Sequence, residues 1–258
     1  FVLAQTGAQW RFETPMSDLA DQAAVGQVVK SLLNLNADEI EERTGGDERD
    51  DATGQPLSRV DVGAGARSWR FSIMPADAES RLMNVVFTNS ARVFSVAASN
   101  VPSALVSTVG MLGLRDKTVL ALPESSLRRI TLKMGKAQAD VVERGGPAAA
   151  WRAGEVSPGK VDTARLNAVV ALLEKLRADR IEKLGATLEE IEAYGLRDPW
   201  LSLSADVDAA DSVRKTLLVG KEAWFGKRYA MVRGLDILFV LSPETLEILN
   251  GHLVEPVQ

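Results

Sequence analysis

The chain contains no cysteine and a single histidine, His252, and this scarcity removes several classes of functional site. Without cysteine there is no disulfide, no thiol nucleophile and no thiolate-bound metal. One histidine leaves almost no room for catalytic triads or histidine-rich metal sites, and a surface position is expected for His252. The sequence therefore predicts no catalytic, cofactor-binding or metal-binding residue, although a glycosidase-like carboxylate pair stays formally open.

Long apolar runs and an excess of positive charge are also missing. The longest apolar stretches, such as residues 168–173 and 237–241, fall well short of the roughly 18 residues that a membrane-spanning helix needs. The formal net charge is -5, and no basic segment dominates, which argues against a nucleic-acid partner. With 258 residues, 46% of them hydrophobic, the chain can bury a sizeable core in one large or two modest domains.

The most informative feature that is present is an internal similarity. The stretch that begins at Trp10 resembles the stretch that begins at Trp151, and the alignment holds without a gap as far as Ile40 and Ile181, a constant offset of 141 positions. Each stretch carries apolar residues at the i, i+3, i+4 and i+7 positions of an amphipathic helix. These residues are Val25, Val28, Val29 and Leu32 in the first stretch, and Leu166, Val169, Val170 and Leu173 in the second.

The same offset relates Pro102 to Pro243 and Gly110 to Gly251, near the end of each half. Residues 242–251 are typical of a helix with a serine N-cap, a proline in the first turn and a glycine after the end, and residues 100–110 are interpreted in the same way. Alternating apolar segments between these helices predict short strands joined by hairpins. We therefore expect an α+β fold of two tandem related units, residues 1–113 and 114–258. Each is predicted to be a mostly antiparallel sheet with one long amphipathic helix and a closing helix.

The stretch "LEEIEAYGLRDPWLSL" predicts a sharp structural corner. Tyr194 would end a short helix, Gly195 would adopt the left-handed conformation of a helix C-terminal cap, and Leu196 would fold back onto Ile191. Pro199 would prevent the helix from continuing. In the first half, the matching region, residues 41–55, is instead an acidic loop. Its carboxylates, including Asp47, Glu48, Asp50 and Asp51, are best interpreted as a solvated run, and calcium binding there stays open.

One further stretch and the tryptophans are also candidate sites. "GEVSPGKV", residues 154–161, resembles a phosphate-binding loop, but Val161 stands where a magnesium-binding hydroxyl is needed, so a turn into a helix is expected. Among the five tryptophans, Trp10, Trp69, Trp151, Trp200 and Trp224, the equivalent pair Trp10 and Trp151 favours a shared core role. Trp224 and Phe225 lie in a predicted hairpin loop and are the candidate partner-contact residues.

An ordered set of motifs resembles the bacterial family known as domain of unknown function 4340. In order, the motifs are Trp151, the helix of residues 162–176, Ala178-Asp179, the Tyr194-Gly195-Leu196 corner with Pro199, residues 217–220, and Tyr229-Ala230. Residues 114–132 are similar to the family's lead-in to a repeat. The match is good over residues 114–250 and weaker over residues 1–110, where the corner is missing.

This resemblance implies a cellular location and a set of associated proteins rather than a chemical activity. Members of the family are membrane-anchored through one N-terminal helix, stand outside the cytoplasm, and often accompany ABC-transporter components and gliding-motility-like auxiliary proteins. No catalytic residues are established for the family. The leading expectation is therefore a non-enzymatic extracytoplasmic interaction module, an accessory subunit of a membrane assembly. The alternative is a binding protein for a glycan, peptide or small ligand in the cleft between the units, and a carboxylate-dependent hydrolase is a distant third.

A last expectation concerns sequence that precedes Phe1. The second unit has a lead-in, residues 115–132, ahead of its tryptophan strand, and a shift of that lead-in by 141 positions places it before residue 1. We expect the full gene to encode a comparable segment there, preceded by the membrane helix that the family resemblance implies. A native start codon at or near Phe1 would refute this expectation.

Overall fold

The computed structural model describes residues 1–14, 18–42, 55–76, 81–208 and 213–256. The chain divides into two compact units, Phe1–Asp116 (unit 1) and Lys117–Gln258 (unit 2). The expected division after residue 113 falls three residues earlier. Leu114 is buried in the apolar cluster of unit 1 together with Phe12 and Val25, so the end of unit 1 is fixed by packing rather than by the lead-in motif.

The described residues of unit 1 form two antiparallel sheets and one long helix. The first sheet has the order β1-β2-β3 and the second has the order β4-β8-β7-β6-β5. The strands are β1 (Val2–Thr6), β2 (Gln9–Thr14), β3 (Asp18–Leu19), β4 (Glu39–Glu42), β5 (Ser58–Ala64), β6 (Arg67–Pro75), β7 (Leu82–Phe87) and β8 (Arg92–Ala97). The long helix is α1 (Gln22–Leu33), and the Asp21 carboxylate caps it by accepting from the Ala24 N–H at 3.1 Å.

The predicted closing helix of unit 1, from Pro102 to Gly110, is wrong. A 3-10 turn, Ser103–Leu105, is followed by a separate short helix, α2 (Thr108–Leu112). Ser107 separates them because its hydroxyl accepts from the Gly110 N–H at 3.0 Å and starts a new helix. Gly110 also lies so close to the Ser103 backbone that a side chain would overlap it.

Unit 2 is dominated by one eight-stranded antiparallel sheet with the order β12-β11-β10-β16-β17-β18-β19-β15. Two short ladders, β13-β20 and β14-β9, complete its strands. The strands are β9 (Thr118–Leu120), β10 (Leu127–Met134), β11 (Asp140–Glu143), β12 (Arg152–Ala153), β13 (Gly159–Val161), β14 (Leu176–Arg177), β15 (Arg180–Leu184), β16 (Leu201–Val207), β17 (Val213–Glu222), β18 (Arg228–Val232), β19 (Ile237–Leu241) and β20 (Val254–Pro256).

The helices of unit 2 begin where their caps predict. They are α3 (Thr163–Glu174), α4 (Leu188–Ala193) and α5 (Pro243–Leu249). The side chains of Asp162, Thr187 and Ser242 each accept a backbone N–H of the first turn. All four predicted apolar positions of α3 are buried, whereas only Val25 of the four on α1 is buried. Every strand pairing among the described residues is antiparallel, and the α+β class is confirmed.

Candidate partner-contact surface

The hairpin between β17 and β18 turns over four residues, 224–227. The Lys227 N–H donates to the Trp224 carbonyl at 3.0 Å, and the Ala223 N–H donates to the Lys227 carbonyl at 2.8 Å. The two central residues, Phe225 and Gly226, both have positive φ, +53° and +74°. Positive φ at both central positions defines a type I′ turn, which matches the twist of the flanking strands and usually carries Asn-Gly.

Phe225 is an uncommon residue for this turn. It is the only non-glycine residue with positive φ among those the structure describes, and 89% of its surface is exposed to solvent. A bulky side chain in the left-handed region costs on the order of 1–2 kcal/mol. Because the ring is almost fully exposed in the isolated chain, its own burial contributes almost nothing to offset this strain.

Trp224, the other candidate contact residue, lies against the sheet instead. The Arg180 guanidinium stands over its ring at 4.1 Å from the centroid, and Tyr229 meets it edge-on at 6.3 Å. Arg180 is held in place because its Nε donates to a Glu182 carboxylate oxygen at 2.9 Å. The two residues that the sequence grouped together are therefore separated in role: Trp224 supports the base of the hairpin and Phe225 projects from its tip.

Three aromatic rings run from the hairpin to the predicted corner. We call Trp224, Tyr229 and Tyr194 the aromatic row; the Tyr194 and Tyr229 ring centroids are 4.4 Å apart. The two tyrosines pack against the buried cluster that includes Leu196 and Leu218. The aromatic row thus connects the hairpin to the corner, which the sequence indicates as separate features. It also gives the hairpin a rigid base.

The corner has the geometry that its sequence predicts. Gly195 has φ +72°, and the Leu196 N–H donates to the Ile191 carbonyl at 2.9 Å while the Gly195 N–H donates to the Glu192 carbonyl at 2.9 Å. These two bonds define a Schellman motif, and Leu196 and Ile191 pack in the same apolar cluster. Pro199 lies in the non-helical segment between α4 and β16.

The corner is fastened to the neighbouring strand β17. The Lys221 N–H donates to the Tyr194 carbonyl at 2.8 Å, and the Lys221 ammonium donates to the Ala193 carbonyl at 2.8 Å. The carbonyl groups at the end of α4 are thereby satisfied by the strand that also forms one arm of the hairpin. The function of this corner is structural, because it fixes the position of Tyr194 under Tyr229.

Burial raises the pKa of Tyr229, and the nearby Glu182 carboxylate adds to the effect. We expect the phenol to ionise above its ordinary value of 10.0. A phenol with a raised pKa contributes stability that is present below about pH 10 and is lost as the pH rises through the folded-state pKa. Absorbance titration of Tyr194→Phe at alkaline pH checks this, because Tyr229 is then the one tyrosine that remains of the two in the chain. A titration midpoint at or below the ordinary value of 10.0 would contradict the prediction.

The other tryptophans make separate contacts, each within its own unit. Trp10 is half-buried against the apolar cluster of unit 1, whereas Trp151 stacks under the Arg144 guanidinium at 4.7 Å. Trp200 stacks in the same way under Arg228 at 4.3 Å. The shared core role expected for Trp10 and Trp151 is therefore not seen in their contacts. Trp69, on β6, is 43% exposed.

The remaining candidate sites fit structural roles. Residues 155–157 form a turn, and residues 159–161 form a short strand, β13, which pairs with β20 and leads directly into α3. Gly159 fits this pairing because any side chain there would overlap the Glu255 carbonyl. His252 is on the surface, as expected, with Nδ1 3.2 Å from a carboxylate oxygen of Asp140. That oxygen also accepts from the Leu253 N–H at 2.7 Å.

The acidic-loop prediction, including Asp47, Glu48, Asp50 and Asp51, falls almost entirely outside the described residues, which omit positions 43–54. Among the residues that are described, no group of three or more acidic or histidine side chains is placed to hold a metal ion. None of the described helices is both long and apolar enough to cross a membrane.

Comparisons with known proteins return no match: no family model matches the chain, and no curated protein or solved structure is significantly similar to it. The functional interpretation therefore depends on the surface around Phe225 and the aromatic row. One sequence signal could have separated Phe225 from Trp224. The pair Phe225-Gly226 stands where a two-residue hairpin loop normally has Asn-Gly, so it places a bulky side chain at a position where positive φ is costly.

Proposed function

We propose that the protein is a non-enzymatic interaction module whose partner-contact surface is centred on Phe225, backed by the aromatic row. The observation that carries the proposal is a fully presented aromatic ring held in a costly left-handed conformation at a hairpin tip. Strain of this kind persists where the surrounding structure enforces it, and it is concentrated at functional sites. Exposed aromatic anchors on a rigid support are typical of binding hot spots.

The partner that we propose is a membrane assembly related to ABC transporters, on the extracytoplasmic side of the membrane, with the protein tethered as an accessory subunit. Support comes from the resemblance to the domain-of-unknown-function 4340 family. A tether would raise the effective concentration of a partner in the same membrane, so one aromatic anchor with modest affinity would suffice. The acidic net charge of -5 is consistent with a protein partner rather than nucleic acid.

We further propose that the two units are tandem copies of one ancestral unit. Helices α1 and α3 begin 141 positions apart and have the same length. The strand order β4-β8-β7-β6-β5 in unit 1 corresponds to the order β15-β19-β18-β17-β16 in unit 2. The Schellman corner belongs to unit 2, so in this proposal the contact surface arose in one copy after duplication.

Phe225→Asn is expected to weaken partner binding at least tenfold without harming the fold. Asparagine tolerates left-handed backbone, so the turn should be as stable as before or more stable by up to about 1 kcal/mol. Loss of a hot-spot ring should reduce recovery of the transporter-like partner at least tenfold, since this corresponds to about 1.4 kcal/mol. The measurement is co-purification of the full-length protein from gently solubilised membranes, with partners identified by mass spectrometry.

The matched control is Leu33→Gln, which removes a side chain that is 81% exposed on α1 of the other unit. This variant should retain wild-type recovery of the partner. The loss expected for Phe225→Asn comes from its specific ring and not from a general loss of exposed apolar surface. A photo-crosslinking residue at position 225 should label a transporter component, and one at position 33 should not. Unchanged recovery with Phe225→Asn, together with polysaccharide or peptide hydrolysis that depends on one carboxylate, would support the hydrolase alternative instead.

A further inference from the structure

Among the described residues, each sheet of unit 1 ends in two edge strands, β1 and β3 in the first sheet and β4 and β5 in the second. Strand β5 pairs with β6 and no other described strand, and β1 pairs with β2 alone. The β5 edge is regular: its register with β6 runs without a shift from Ser58↔Ile73 to Ala64↔Arg67. It has neither a proline nor a bulge, two of the devices that blunt an edge, although Arg59 and Asp61 place charged side chains on the strand. A regular edge of seven residues is a template for a further strand.

In unit 2 the corresponding edge is occupied. Strand β16 stands at the position of β5 in the matching strand order, and its outer side pairs with β10 along residues 127–134. Strand β10 in turn pairs on its other side with β11, which follows it directly in the chain. One strand thus joins the β11-β12 pair to the five strands that correspond to the five-stranded sheet of unit 1.

Burial reflects this difference between the units. In β16, Leu203 and Ala205 are 1% exposed and lie opposite Leu132 and Ile130 of β10. The residues at the corresponding alternate positions of β5, Val60 and Val62, are only half-buried. Trp69, opposite Val62 on β6, is the aromatic residue that unit 1 leaves partly exposed beside this edge. The apolar side of the sheet therefore lacks, among the described residues, the cover that β10 gives in unit 2.

We propose that a strand of the same polypeptide, N-terminal to β1, lies between β1 and β5, antiparallel to both, with apolar side chains at alternate positions. It would join the two sheets of unit 1 into one, as β10 does in unit 2. It rests on the proposed tandem relation of the two units and on the strand order of unit 2, in which β10 immediately precedes β11. This inference does not depend on the docking role of Phe225, so the two can fail separately.

The experiment supplies such a strand from known sequence. Residues 124–139, which contain β10 and its connection to β11, are fused directly before Phe1 of the whole chain. Hydrogen exchange measured by mass spectrometry should then show the backbone amides of β5 and β1 exchanging at least tenfold more slowly than in the unextended chain. Acrylamide quenching of tryptophan fluorescence should fall as Trp69 becomes covered.

The control fusion carries Ile130→Asp and Leu132→Asp in the copied segment only, and β5 should exchange in it as in the unextended chain. Equal exchange of β5 in the fused and unextended chains would overturn the proposal. Protection of β5 in the unextended chain would also overturn the proposal. If that chain is a monomer in analytical ultracentrifugation, its own residues cover the edge. If it is a dimer, a second copy of the chain covers the edge.

Discussion

Replacing Gly220 by alanine is expected to lower the free energy of unfolding of unit 2 by about 3 kcal/mol, the sum of an overpacking cost and a lost hydrogen bond. Gly220 lies in β17 beneath the corner, and a Cβ there would overlap the Tyr194 carbonyl oxygen. It would also stand 3.1 Å from the Gly195 carbonyl carbon. Both neighbours are backbone atoms, so neither can rotate away.

Relief of this overlap requires the corner to lift from the strand. The hydrogen bond from the Lys221 N–H to the Tyr194 carbonyl, 2.8 Å long, would be lost, and Tyr194 would separate from Tyr229. We therefore expect Gly220→Ala to weaken partner binding through Phe225 as well as stability, because the aromatic row no longer supports the hairpin. Urea unfolding followed by circular dichroism and tryptophan fluorescence measures the first effect.

Gly63→Ala is the matched control for this prediction. Gly63 also lies in a strand, β5, but a Cβ there meets no atom within 4 Å. The change should leave stability within about 0.5 kcal/mol or raise it slightly, because alanine loses less backbone entropy than glycine on folding. Similar losses for the two alanine variants would show that the close approach at Gly220 is not the cause.

The second large effect is expected at Arg144, for which Arg144→Met should destabilise unit 2 by about 2–4 kcal/mol. The Arg144 side chain is 3% exposed, and its guanidinium bridges three backbone carbonyls. Nε donates to Leu127 at 3.0 Å, one Nη donates to Pro147 at 3.1 Å and the other donates to Glu124. Methionine fills much of the same volume but leaves these acceptors without a donor.

Glu124→Gln separates the carbonyl bridges from the ion pair at the same site. The Glu124 carboxylate is 3.3 Å from an Arg144 Nη and is 56% exposed, so water screens the pair and its loss should cost under about 1 kcal/mol. Thermal unfolding of both variants gives the comparison. A larger loss for Glu124→Gln than for Arg144→Met would assign the stability of this site to charge pairing and contradict the role of the carbonyls.

Local sequence signals determined the helices, the strands and the corner. The bounds of α1, α3 and α5 follow from a capping side chain and an apolar period, and the conformation of Gly195 follows from the residues on either side of it. All of these signals act over a few residues, so the chain alone specifies them. The same local rules gave one wrong result at residues 102–110, where Ser107 competed as a cap and split the expected helix.

Tertiary structure decided what each aromatic and arginine residue does. The separation of Trp224 from Phe225 depends on Arg180, which is distant in sequence and is brought over the Trp224 ring through the sheet. Arg144 is buried under Trp151, and Arg115 is fully buried beside Asp18 at 3.0 Å and over the Phe12 ring; composition alone would place both arginines on the surface. Burial and strand partnership are set by long-range packing, and a single sequence carries no local signal for either.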